Sequence, residues 1–285
     1  PIQISTAALS PKPTAQIDVT ANLDANATPP AAAWDPANPA QGSNFSTTVT
    51  VFDSLGNAHA LDVYFRNTGP GAWEYHALAA GDEVSGGTPG QGFEVLGGTL
   101  NFGGDGALLD SQVTTGGTAD FLGANVGQAL AVNFGTPQSA GGTGFGGTTQ
   151  FGSPSSVASQ GQDGYSSGSL AGVQIDNLGV VNAVYSNGQR LAVAQVAVAK
   201  FNSNDGLGRA GQNLWTATRE SGEASVGAAG EGGRGAVVAG SLEQSNVDIA
   251  AQFVDLIAHQ RAFQANSKTI TTADEMLQEL VNLKR

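Results

Sequence analysis

Residues 245–285 read SNVDIAAQFVDLIAHQRAFQANSKTITTADEMLQELVNLKR, a stretch without glycine or proline. Apolar side chains return every seven positions, at Ile249, Leu256, Phe263, Ile270 and Leu277, the spacing that holds one stripe of a helix against a partner helix. Phe253, Ile257, Leu280 and Val281 widen the stripe at its ends, while Gln260, Ser267 and Asp274 interrupt its centre and make it weaker than a leucine zipper. The pattern predicts one continuous helix of about 40 residues, roughly 60 Å long at 1.5 Å per residue. Ser245 is expected as the N-cap, with Asp248 placed at the positive helix end. Such a helix outruns a small β domain. The rival reading is a helix that covers its own domain and frays at one end. The favoured expectation is that Ile249, Phe253, Leu256, Ile257, Phe263, Ile270, Leu277 and Leu280 bury against another helix, of the same chain or of neighbouring copies.

Working back from that stretch, the character changes abruptly. Gly222 to Gly240 is Gly/Ala-rich and reads as too flexible to be a core element. Before it, Leu170 to Ile175, Val180 to Tyr185 and Arg190 to Phe201 read as strands, joined by the turns Asp176-Asn177-Leu178-Gly179 and Ser186-Asn187-Gly188. Gly135 to Gly168 is rich in Gly, Ser, Thr and Gln and reads as a connection between domains. Further back, Phe45 to Phe52 and Ala60 to Phe65 flank Asp53-Ser54-Leu55-Gly56-Asn57, a strand, tight turn and strand. Short β segments are expected at Trp73 to Leu78, Gly98 to Phe102 and Ala129 to Phe134, and a loop over the proline-rich Asn22 to Gly42. The chain is thus read as mainly β with a long C-terminal α-helix. Its expected divisions are 1–21, the start of an inner β domain; 22–151, an outer β domain inserted in it; 152–240, the rest of the inner domain with a linker; and 241–285, the terminal helix.

Charge narrows the function. The net charge is −13, from 24 acidic and 11 basic residues without a basic cluster, which argues against nucleic acid or an anionic membrane as partner. With no cysteine, disulfides and thiolate metal sites are excluded. The first residues, Pro1-Ile2-Gln3-Ile4-Ser5, show neither a Met nor a secretory signal, so a native start further upstream is expected.

Catalytic constellations are poorly represented. His59, His76 and His259 lack ligand-like spacing and are expected at the surface or at strand edges. Asp53, Asp62, Glu74, Asp82 and Glu83 are carboxylates that sequence spacing cannot pair for glycoside hydrolysis, and solvated loop acids are far commoner. The glycines between Gly227 and Gly235 lack the Lys-Ser/Thr of a phosphate-binding loop. No cofactor is implied. A carbohydrate-binding or adhesin β module remains a rival reading, with Trp34 and Trp73 as its exposed aromatics.

The C-terminal run Ser245-Asn246-Val247-Asp248, continued by His259-Gln260-Arg261-Ala262-Phe263 and Thr271-Thr272-Ala273-Asp274, closely resembles the signature of the flagellar axial proteins, the rod, hook and hook-associated subunits. Asp53, Ser54, Gly56 and Asn57, in a turn followed by Ala58-His59, together with the ending Leu280 to Arg285, are most similar to the hook branch of that family. Phe201 to Leu207 with Asn213-Leu214-Trp215 is similar to both hook and distal-rod members. The resemblance implies a non-enzymatic subunit whose terminal helices pack at the centre of a tube, under inner and outer β domains. It implies a helical homopolymer in the extracellular hook of the flagellum, exported by the flagellar type III system. Its implied neighbours are the distal rod, hook cap and hook–filament junction proteins. A distal rod subunit is the closest alternative. The family's N-terminal helix has no counterpart here, so half of the implied helical core is missing from the sequence.

Overall fold

The computed structural model describes residues 7–282; the start of the 1–21 segment and the final Leu283-Lys284-Arg285 of the family motif lie outside the described residues. Two compact units divide between Val237 and Val238. The first is built of strands, and the second holds a long helix, so the chain is mainly β with one C-terminal α-helix, as the sequence predicts.

The first unit opens with β1 (Gln16–Asp24), a single helical turn α1 (Pro39–Gly42), β2 (Phe45–Phe52), β3 (Ala58–Gly69), β4 (Ala72–Ala80), β5 (Gly92–Phe102) and β6 (Leu108–Gly116). It continues through β7 (Thr118–Ala119), β8 (Gln128–Ala129), β9 (Ala131–Asn133), β10 (Thr149–Phe151) and β11 (Ser156–Gln162). Strands β2 to β6 form an antiparallel meander, while β1 pairs in parallel with β9 and β10 and antiparallel with β11. The period of two explains why these sheets close on one core. Ile17, Val19, Ala21 and Leu23 of β1 point inward, as do Leu61, Val63 and Phe65 of β3 and Trp73, Tyr75 and Ala77 of β4. Phe134 meets both Phe65 and Tyr75 edge-on, at centroid distances of 5.8 and 4.7 Å, an arrangement that suits the ring quadrupoles.

The predicted 45–65 hairpin is present as β2 and β3, the segments Trp73 to Leu78 and Gly98 to Phe102 fall within β4 and β5, and Ala129 to Phe134 is broken into the end of β8 and β9, with Leu130 and Phe134 outside both. Strands β1, β6, β7, β10 and β11 were not predicted. The loop expected from Asn22 begins later, because Asn22 is paired within β1 to Thr149 on one side and Ser156 on the other. Part of the expected connection 135–168 is likewise strand. The sheet therefore runs across both 21/22 and 151/152, where the sequence suggested divisions. The cause is physical: β11, Ser-Val-Ala-Ser-Gln-Gly-Gln, is an edge strand that buries little and is held by backbone pairing to β1, which leaves no apolar pattern to read.

Entry to and exit from this region run side by side, with Leu9 bridged to Gly168 and Lys12 to Tyr165. Asp163 fastens them: its carboxylate accepts the Ala15 and Gln16 amides at 2.8 and 2.9 Å and the Lys12 ammonium at 2.9 Å. Partial burial opposes ionisation, but the Gln16 amide, Lys12 and the Ala15 amide outweigh it and hold the carboxyl at about 2 against an ordinary 3.8. A folded-state value below the unfolded one stabilises the fold above the unfolded value, and that contribution disappears as pH falls through the folded one. Denaturant titrations between pH 5 and pH 2 should thus show a stability loss that is shallower in Asp163→Asn; equal slopes in both proteins would refute the assignment.

The rest of the first unit comprises β12 (Leu170–Ile175), β13 (Val180–Tyr185), β14 (Arg190–Gln195), β15 (Ala197–Lys200), β16 (Gly208–Gly211), β17 (Leu214–Thr216) and β18 (Ser225–Ala228). The first two coincide with their predicted spans. The single strand expected over 190–201 is two, and β15 pairs with β18 inside the segment expected to stay outside any core element. Asp53 and Asp176 build their turns alike, each offering one carboxylate oxygen to the amides two and four residues on. Gly56 and Gly179 then take φ of +86° and +76°, the left-handed conformation such turns require.

Candidate assembly interface

The second unit is dominated by α2 (Ile249–Asn282), 34 residues and so about 51 Å long. It starts later than predicted because Asp248, rather than Ser245, is the cap. Asp248 Oδ1 accepts the amides of Ala250 and Ala251 at 2.8 and 3.3 Å, whereas Ser245 Oγ accepts only the Val247 amide, ahead of the helix. A carboxylate here both satisfies orphan donors and complements the helix dipole. Further along, Thr269 donates its hydroxyl to the Ala265 carbonyl, and Thr271 and Thr272 donate theirs to Lys268. This lets a threonine-rich turn stay helical without unpaired hydroxyls.

All eight predicted stripe residues lie on α2 and all are exposed, from Leu256 at 49% to Phe263 at 73%. The structure brings them together as a stripe on one helix and covers none of them. Gln260 and Arg261 are exposed on the same helix, while Asn246 and Val247 precede it. On a straight helix a seven-residue repeat drifts by roughly 20° per heptad, so a partner following this stripe must wind around it in a left-handed sense. An exposed apolar row of this length is the kind of patch that marks an interaction surface.

The family-like turn is the best-defined polar feature. Asp53 is fully buried, and its carboxylate accepts the Leu55 and Asn57 amides at 2.8 Å and the Asn57 side-chain amide at 2.9 Å. Burial works against its charge, but hydrogen bonds from Asn57, His59 and Leu55 prevail and lower its pKa. His59 extends the cluster, with Nε2 3.3 Å from Asp53 and Nδ1 2.7 Å from Glu83, its ring stacked on Phe121 at 4.0 Å. Ser54 Oγ accepts the Asn125 amide at 2.9 Å. Gly56 sits against Pro11 and Ser166, where an added Cβ would stand 2.8 Å from the Pro11 ring. The turn is thus a structural knot. Asp53→Ala leaves several buried donors unpaired and should cost about 2–4 kcal/mol in a denaturant titration, at about 1–3 kcal/mol per orphaned group; a change below about 0.5 kcal/mol would sink this account.

The expected surface position of the histidines needs correcting, since His59 is buried. His76 is stacked on Trp34 at 3.9 Å, with Nδ1 3.0 Å from Glu94. No group of three metal-ligating side chains occurs among the described residues. No helix among them is long and apolar enough to cross a membrane. In the glycine-rich 227–235 segment, Arg234 folds back so that Nε donates to the Ala228 carbonyl at 2.9 Å. The sugar-binding reading loses its platform: Trp73 is 1% exposed, and Trp34 spends its Nε1 on Glu94 at 3.0 Å. Glu83 and Phe121 were missed as partners of His59, and no local sequence signal joins them.

Fold and stripe together define a class: β-rich chains that end in a long helix with its apolar row uncovered. Residues 22–165 match the flagellar basal body protein FlaE D2 domain, and residues 238–283 match the flagellar basal body rod FlgEFG protein C-terminal family. The chain belongs to the family of flagellar basal body proteins that carry the FlaE D2 domain. It is 37% identical over 241 residues to the flagellar hook protein FlgE of Helicobacter pylori, a match covering 84% of this chain and 33% of that one. With FlgE of Escherichia coli it shares 33% identity over 283 residues, covering 99% and 66%. The chain thus spans between 33% and 66% of the length of these relatives. Among solved structures, Helicobacter pylori flagellar hook protein FlgE2 matches with a TM-score of 0.42 and 21% identity, over 60% of this chain and 36% of that one.

Proposed function

We propose that the chain is a non-enzymatic structural subunit of the bacterial flagellar hook, and that α2 is the element through which copies polymerise. The observation that carries this reading is the row of eight exposed apolar side chains on a capped helix, in a chain whose curated relatives are named hook proteins. In this reading α2 pairs with helices of the same and adjacent subunits at the centre of a tube. The β unit forms the outer layers, in two modules: residues 9–168 around the meander, and 169–237 around β12 to β14. A charged fraction of only 12% and many Ser, Thr and Gly residues favour several near-equivalent packings as the tube bends, because few ion pairs are available to lock one geometry. The polymer then works as a universal joint between motor and filament, with the distal rod, hook cap and hook–filament junction proteins at its ends. Export through the flagellar type III route and an extracellular location complete the proposal.

Immunogold electron microscopy against this chain in its native host tests it. Label confined to the short curved segment between cell surface and filament is the expected result. Label on the straight rod would move the protein to the distal-rod alternative, and label away from flagella would end the reading.

A further inference from the structure

Three turns of the first unit share one backbone, in which the first residue's carbonyl accepts the amide of a glycine three positions on: Gly56 on Asp53 at 3.1 Å, Gly179 on Asp176 at 3.0 Å and Gly188 on Tyr185 at 3.0 Å. In the first two, the aspartate at the opening position also ties the turn with its side chain. In the β13–β14 turn that position is Tyr185, and the tie passes to Asn187, whose Oδ1 accepts the Gln189 amide at 3.1 Å. An aspartate at 187 could do as much. What asparagine adds is a donor, and Nδ2 spends it outside the turn, on the Ser166 carbonyl at 2.7 Å. Among the described residues this is the one side-chain hydrogen bond that joins the 169–237 module to the 9–168 module.

Ser166 lies where the chain leaves the 9–168 module, and two turns close on it and its neighbours. At Gly56 of the β2–β3 turn, an added Cβ would stand 3.2 Å from Ser166 Cα and 2.8 Å from the Pro11 ring. At Gly168, an added Cβ would stand 2.7 Å from Asn187 Cγ. Glycine at both contacts lets each turn come in to backbone distance, and a side chain at either would hold one of them off. Because the Leu9–Gly168 and Lys12–Tyr165 bridges tie this exit to the entry segment, whatever holds Ser166 holds both segments that carry the module.

We infer that Asn187 is a positioning residue: through Ser166 it sets the angle at which the 9–168 module stands on the 169–237 module. The contacts that carry this lie within one chain. What the angle does in a polymer rests on the assembly reading above, where it decides which surfaces of the 9–168 module reach a neighbouring copy.

The protein has no native cysteine, so spin labels can be placed at T114C in β6 and Q174C in β12, exposed positions in the two modules. Double electron–electron resonance on single chains in solution should give one narrow distance peak. N187D keeps an oxygen for the Gln189 amide but sets a carboxylate oxygen against the Ser166 carbonyl, and it should lose that peak while the circular dichroism of the β strands stays as in the parent. G168A, whose added Cβ displaces Asn187, should lose it as well. A broad distribution in the parent overturns the inference, and so does a parent-like peak in both variants. Loss of strand signal in N187D would confine Asn187 to its own sheet and also overturn it. Since single chains are measured, none of these outcomes depends on whether copies assemble.

Discussion

L256D should abolish polymer formation while leaving the β unit folded. Leu256 lies between Ile249 and Phe263 in the seven-residue row and is half exposed in the single chain. Burying a leucine side chain contributes about 1.5–3 kcal/mol, and forcing an unpaired carboxylate into a dry seam adds a penalty of several kcal/mol. A combined loss of about 4 kcal/mol per subunit lowers the association constant roughly a thousandfold, at 1.4 kcal/mol per factor of ten. Electron micrographs of assemblies from the native host should therefore be empty of hooks. The denaturant midpoint of the β unit should match the parent, because α2 belongs to a separate unit. L256M keeps volume and apolarity and should assemble. Hooks of normal number from L256D would show that the stripe is not the joint.

The second large effect concerns the core. Trp73→Ala should destabilise the β unit by about 3–5 kcal/mol, the usual cost of removing a buried large aromatic side chain. Trp73 is 1% exposed, flanked on its strand by the inward Tyr75, and its indole Nε1 has no hydrogen-bond partner. Its contribution is therefore packing, and Trp73→Phe should be far milder. Thermal unfolding followed by circular dichroism reads both. A Trp73→Ala protein as stable as its parent, with a changed affinity for glycans instead, would restore the sugar-binding reading.

That tryptophan also shows what a sequence reveals and what it hides. Trp73-Glu74-Tyr75-His76-Ala77 alternates apolar and polar residues, and the alternation already says that Trp73 points inward; counting Trp73 as an exposed aromatic ignored its own strand. The turns were legible because Asp53 and Asp176 write their hydrogen bonds into consecutive residues, and Gly56 and Gly179 mark the left-handed positions. Strand β1 was hidden for a different reason. Its Ile17, Val19, Ala21 and Leu23 alternate cleanly, but its partners β10 and β11 lie more than a hundred residues away, and the proline-rich run beginning just beyond it drew the boundary inward. The His59 cluster joins one strand and three separate connections, and only the folded chain brings Glu83 and Phe121 to the ring. The stripe on α2 was legible because a helix places every seventh residue on nearly the same line whatever surrounds it. The choice of cap was not, since Ser245 and Asp248 both fit the rule and only the backbone selects between them.

The bridged pairs Leu9–Gly168 and Lys12–Tyr165 have a consequence for how such a chain can be altered. Because the backbone leaves and returns at neighbouring points, whatever lies between can be exchanged for another folded body with adjacent termini without rerouting either flanking segment. The region is in effect a socket. Cargo of foreign origin, such as an enzyme or an epitope, could be carried there in many regularly spaced copies along a single fibre.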